Sequence, residues 1–221
     1  MNLKERKKWM AFFIVGITFS IIMYIFKTYY VLSTPAPAWV NVLFDHWWIT
    51  YLIIFLLPVC LIRFFLHEPL YRYGLHCDKP FFQFLFVIFF ALLMIFLGNP
   101  VRFWEIFAEK ILRLMIHAKY NYVHTFLPGL DYFLAILGNI MLFEGFFLRF
   151  FQDIFRNKLI PILLVSLLSA LFSDITSADA FFLNFFYTAL YTSLRTLMPK
   201  QCTILSLVIS QYLYEFYWSI Y

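Results

Sequence analysis

Long apolar runs, each ended by a short polar or proline-containing connection, organise this chain. A basic head, MNLKERKK at 1–8, precedes the first run at 9–32. Segment 33–46 has two prolines and no Lys or Arg, and reads as an outside loop. A second run at 47–66 leads to HEPLYRYGLHCDKP (67–80), a polar connection. A third run at 81–97 stops at Gly98-Asn99-Pro100. After Pro128-Gly129 come four closely spaced runs at 131–155, 159–175, 180–198 and 203–220. About 20 apolar residues span the hydrocarbon as a helix, since only internal backbone hydrogen bonds survive there. The pattern therefore predicts an all-α, polytopic transmembrane bundle with seven spans. Strands of a membrane barrel would alternate in polarity over about 10 residues, and no such alternation is present.

Segment 101–120 has a different period. Phe103, Ile106, Phe107, Ile111, Leu114 and Met115 recur at helical spacing, while Arg102, Glu105, Glu109, Lys110, Arg113 and Lys119 take the remaining surface. It reads as an amphipathic helix lying at the interface. The N-terminal part, 1–130, then holds three spans plus this helix. The C-terminal part, 131–221, holds four spans, and the two form one integral domain without repeats.

Composition sharpens the class. Of 221 residues, 64% are hydrophobic and 13% charged, against about 25% charged in a soluble domain. Such a chain cannot clothe a globular surface. The net charge of +5 does not point to nucleic acid, because the basic residues flank apolar runs. With the N-terminus inside, eleven basic residues fall on the cytoplasmic side, including Lys4, Lys8, Arg72, Arg156 and Arg195. Four fall outside, all on the amphipathic helix. The positive-inside rule selects that orientation. Ala36-Pro37-Ala38 resembles a signal-peptide cleavage pattern, but the preceding run is longer than a signal core of 7–15 residues, so it reads as an anchor. The wealth of Phe, Tyr, Ile and Lys fits a low-GC bacterial source, hence a bacterial cytoplasmic membrane. Cys60, Cys77 and Cys202 lack any close spacing, which argues against a disulfide framework or zinc ribbon. Cys60 and Cys202, inside or beside apolar runs, read as small buried hydrophobes.

An ionisable group at mid-membrane costs about 2.5–3.5 kcal/mol on insertion scales and needs a partner or a task. The first three spans contain almost none, so a functional site is expected among the last four. Glu144 lies in the middle of the fourth span, either protonated or paired across helices. Arg149, five positions on, does not stack on it, but Arg149 and Asp153 can pair at i,i+4. Asp174 ends the fifth span. The sixth carries Asn184, Tyr187, Tyr191 and Arg195 as one stripe facing the bundle interior. Gln211 and Glu215 share a face of the seventh. None of the five histidines is in these four spans, so a histidine-liganded metal is hard to build. A carboxylate-only site from Glu144, Asp174 and Glu215 is conceivable. Neither metal nor cofactor is expected.

These residues carry a resemblance. Residues 130–217 resemble the CPBP family: CAAX prenyl endopeptidases, bacteriocin-processing proteins and bacteriocin self-immunity proteins, also called Abi proteins. The family pattern is EExxxR in one helix, FxxxH in the next and HxxxN or HxxxD in the last. Here the first motif reads Glu144-Gly145-Phe146-Phe147-Leu148-Arg149, keeping the first Glu and the Arg. Asp174 stands at the second motif's His and Ala170 at its Phe. Gln211 replaces the last motif's His, and Glu215 its Asn.

In the family's proteolytic members the resemblance implies a glutamate that activates water, with histidines and an asparagine stabilising the oxyanion. Both contributions are worth orders of magnitude, and an anionic Asp174 or Glu215 would repel a developing oxyanion. The resemblance therefore implies a degenerate site at Glu144, Arg149, Asp174, Gln211 and Glu215. It leads to a self-immunity protein or a regulatory partner of a membrane or cell-envelope protein. An active intramembrane endopeptidase using Glu144 is the alternative. A small transporter or channel subunit fits less well, since inverted repeats and broken-helix pairs are missing. The expected partners are the lipid bilayer and a membrane protein or peptide.

Overall fold

The computed structural model describes residues 3–31, 37, 40–41, 47–77, 79–98, 133–172, 178–199 and 202–219. Among the described residues seven long helices form, one for each apolar run. The first, α1 (Leu3–Phe26), continues as a π-helical turn, Lys27–Val31. The second, α2 (Trp47–Cys60), continues likewise through Leu61–Phe65. Next come α3 (Pro80–Gly98) and α4 (Phe133–Ile154), then α5 (Leu159–Phe172), α6 (Ala178–Leu197) and α7 (Ile204–Ser219). Among the described residues there is no strand. The amphipathic segment 101–120 lies outside the described residues.

Four of the helices are long and apolar enough to cross a bilayer: Leu3–Tyr29, Trp48–Phe65, Pro80–Leu97 and Phe133–Ile154. The apolar pattern predicts seven. Over their described residues α5 has 14 residues and α7 has 16, and both run up to residues outside the described ones. Helix α6 is long enough at 20 residues, but Asn184, Thr188, Thr192, Thr196 and Arg195 lower its hydropathy. The exposed residues of the apolar helices are themselves apolar, for example Phe13, Ile17 and Ile21 on α1 and Phe84 and Phe89 on α3. In water this surface would be a very large contiguous patch. Lipid chains are the medium that suits it.

The two halves interlock. Helix α5 packs along α6, and α7 packs along α3. Helix α1 meets α4 through rings: Phe12 stacks on Phe150 at 4.4 Å, and Trp9 meets the same ring edge-on at 5.0 Å. Lower down, Phe19 meets Phe143 of α4 and Phe172 of α5. Gly138 brings α4 onto α2: a Cβ there would meet the Tyr51 carbonyl oxygen at 3.1 Å. Small residues permit such close approach where lipid supplies no hydrophobic drive between helices.

Polar stitching gathers one end of the bundle. The π-turn of α2 closes with His67 in the left-handed region (φ 54), and the Glu68 N–H donates back to the Ile62 carbonyl. This cap turns Glu68 inward, where it is 4% exposed. The Tyr73 hydroxyl donates to the Glu68 carboxylate at 3.0 Å. Lys4 and Lys8 of α1 lie at 3.4 Å and Arg72 at 3.6 Å from it. Lys8 also pairs with Asp153 of α4, which holds Arg149 at 2.9 Å. Burial alone would raise the Glu68 carboxyl. The Tyr73 bond and the two lysines outweigh that effect and hold it below its ordinary value.

A short 3₁₀ turn, Leu70–Tyr73, ends at Gly74 with φ 89, a conformation that favours glycine. The Arg195 guanidinium of α6 donates to the Tyr73 carbonyl at 2.5 Å, and the Ile204 N–H of α7 donates to the Gly74 carbonyl at 3.1 Å. Helix α7 begins there in a reciprocal cap. The Ser206 N–H donates to Thr203 Oγ1, and the Thr203 N–H donates to Ser206 Oγ. The starts of α1 and α7, the ends of α2, α4 and α6, and the 67–77 connection thus meet at one end.

Candidate functional site

Helix α4 changes pitch in its middle. Met141–Phe147 is a π-helical segment, and all seven of its residues are buried. A π segment widens the turn and re-aims side chains, and such segments recur at functional sites. Glu144 is its central residue and is 4% exposed. Gly145 lets this widened stretch lie against the start of α7: a Cβ there would meet Met141 Sδ at 3.0 Å and Ile204 Cδ1 at 3.3 Å. A glutamate, as in the family motif, would have to displace both side chains.

Glu144 faces a chamber of about 580 Å³, within the 300–1,000 Å³ of small-molecule sites. All seven helices contribute to its wall. Helix α4 supplies Asn139 and Phe143 beside Glu144; α6 supplies Asn184, Tyr187, Thr188 and Tyr191; α7 supplies Gln211 and Tyr214. Ser169 of α5 accepts a hydrogen bond from Thr188 at 3.0 Å on the same wall. The other side is Thr50 and Tyr51 of α2, with apolar residues of α1 and Met94 of α3. The chamber thus extends beyond the last four helices, because the first three contribute hydroxyls and apolar faces, which the pattern of ionisable residues does not register.

The family-motif positions separate. Glu144 and Gln211 face the same chamber. Arg149 is not part of its wall: it turns toward the stitched end and pairs with Asp153. Asp174 and the Glu215 side chain lie outside the described residues. Arg195, at the end of the polar stripe of α6, is 9% exposed, and it and Glu144 attract one another electrostatically. Its Nη1 is buried and makes no hydrogen bond among the described residues. The guanidinium thus anchors the Gly74 turn while lending positive potential toward Glu144.

Several polar residues escaped the sequence reading. Glu68 lies in the polar connection 67–80. Its signal was an acid placed among terminal lysines and Arg72. Cys60, expected to be buried, is exposed, while Cys202 is buried. Burial pushes the Cys202 thiol up to about 12, which makes it a poor nucleophile. Among the described residues no group of three His, Cys, Asp or Glu could hold a metal ion.

Comparison with protein-family models, curated proteins and solved structures gives no match. The chemistry must therefore be read from the chamber. Its wall combines one carboxyl, amides from Asn139, Asn184 and Gln211, and phenol and hydroxyl groups. Among the described lining residues there is no histidine, lysine, arginine or cysteine. This wall can grip a polar guest by hydrogen bonds. Apart from Glu144, the described lining residues offer no carboxyl, imidazole, amine or thiol to move a proton.

Proposed function

We propose that this chain is a multi-pass membrane protein of the CPBP/Abi kind whose intramembrane site has become a binding chamber. It acts as a self-immunity factor or as a regulatory partner of a membrane or cell-envelope protein. The observation that carries this reading is the company of Glu144. It shares a chamber with Gln211, the residue at a family histidine position, and with neutral amides and phenols. Arg149, the other surviving motif residue, is engaged by Asp153 instead. A carboxyl without histidine partners is a weak centre for hydrolysing an amide, but it remains a strong recognition group. A cytoplasmic N-terminus in a bacterial membrane is supported by the excess of basic residues at the end where α1 starts.

The second reading, an endopeptidase using Glu144 to activate water, draws on the same meeting of Glu144 and Gln211. The purified protein in lipid nanodiscs, incubated with prenylated and unmodified membrane peptides, separates the two. The expected outcome is no cleavage that depends on Glu144. Product formation by the native chain that disappears in Glu144→Gln would overturn the binding reading and establish the protease.

A further inference from the structure

We propose that the chamber is selective for organic ammonium ions, with Glu144 as the counter-charge; this rests on the reading of the chamber as a binding site. Three observations carry it. First, the wall contains one carboxyl, Glu144, which is 4% exposed and aimed into the space, and among the described lining residues no cationic side chain opposes it there. Second, the carboxyl is surrounded by groups that stabilise a cation. Asn184 and Gln211 bring side-chain amides, whose oxygens can accept from an ammonium, and Tyr51, Tyr187 and Tyr191 are also on the wall. Ring faces attract cations, the more strongly when water is excluded. Third, the space of about 580 Å³ is far too large for a bare metal ion and suits a molecule with an apolar body and a charged head. The apolar side formed by α1 and Met94 is where that body would lie.

The alternatives fit less well. An anionic guest would face Glu144, and the cation that attracts Glu144, Arg195, lies off the wall and is held by the Tyr73 carbonyl. A wholly apolar guest would leave the Glu144 carboxyl facing apolar groups, at a cost. A primary ammonium satisfies both demands, giving one donor to Glu144 and two to amide oxygens. The amine of a lysine side chain or a peptide terminus has this chemistry, and so has a free amine.

A charge series on one skeleton tests the proposal. The full chain in zwitterionic nanodiscs is titrated calorimetrically with phenethylammonium, neutral phenethyl alcohol and anionic 3-phenylpropionate. Saturable binding of the ammonium is expected, at least tenfold tighter than the alcohol, with no binding of the anion. Glu144→Gln should weaken the ammonium at least tenfold and leave the alcohol unchanged. Tyr187→Leu, which keeps the carboxyl but removes one ring, should weaken it about threefold to tenfold. It also serves if Glu144→Gln does not fold. Equal affinity for ammonium and alcohol, preference for the anion, or ammonium binding indifferent to both substitutions would overturn the proposal. Peptide cleavage dependent on Glu144 would overturn the underlying reading yet leave the charge preference standing, so the two failures are distinguishable.

Discussion

Gly74→Ala should be among the most damaging single-atom-scale changes in this protein, and its cost can be worked from two causes. Alanine at φ 89 pays about 1–2 kcal/mol for a left-handed backbone. The new Cβ would also land on the Arg195 guanidinium, which must then leave the Tyr73 carbonyl. Losing a buried hydrogen bond from a charged group is worth about 1.5–3 kcal/mol. Together the change should cost about 2.5–5 kcal/mol. For a chain of this size that is a drop in melting temperature of roughly 5–20 °C. The assay is thermal unfolding in one fixed detergent, followed by circular dichroism, on a double-mutant cycle with Arg195→Ala. In the Arg195→Ala background the glycine substitution should cost only its backbone share, about 1–2 kcal/mol. If Gly74→Ala costs the same with and without Arg195, the two residues are not coupled, and the account of the stitched end is wrong.

Two further outcomes follow from the same end of the molecule. Because the folded carboxyl of Glu68 is held below its ordinary value, its stabilising contribution is present above the unfolded value of about 4.3 and is lost as pH falls through the folded value. The melting temperature should therefore drop below about pH 4.3, and Glu68→Gln should flatten that drop while lowering stability near neutrality by about 2 kcal/mol. An acid profile unchanged by the substitution would remove Glu68 from the explanation. The cysteines give a separate check: a membrane-permeant maleimide should label exposed Cys60 and Cys77 in the folded protein and reach buried Cys202 only after denaturation, as read by mass spectrometry. Early labelling of Cys202 would contradict its burial in the connection between α6 and α7.

The helices were legible because apolar runs of this length have one physical reading. The span expected at 81–97 is found at Pro80–Gly98, and proline and glycine mark its ends as they mark helix ends generally. The run expected at 159–175 is described as Leu159–Phe172. The π segments were not legible. In MLFEGFF every neighbour of Glu144 except Gly145 is apolar, so a change of pitch leaves no trace in the polarity pattern. The burial of Glu68 was hidden for a different reason: it depends on a left-handed cap at His67 and on lysines some sixty residues earlier. The stripe of α6 could be read because Asn184, Tyr187 and Tyr191 stand out on an apolar helix. The hydroxyl-bearing wall of α2 could not, since Thr50 and Tyr51 are ordinary residues near a span's end.

The π segment of α4 has one more consequence. The helix performs two tasks on different sides: Asn139 and Glu144 look into the chamber, while Arg149 pairs with Asp153, which reaches Lys8 of α1. In an unbroken α-helix each residue advances about 100°, so the angle between those two duties would be fixed by their separation in sequence alone. The wider turn at Met141–Phe147 acts as a phase adjuster between them. Removing or adding one residue within it would rotate one half of the helix against the other by about a quarter-turn. Glu144 could then keep its cavity, or Asp153 its lysine, but not both.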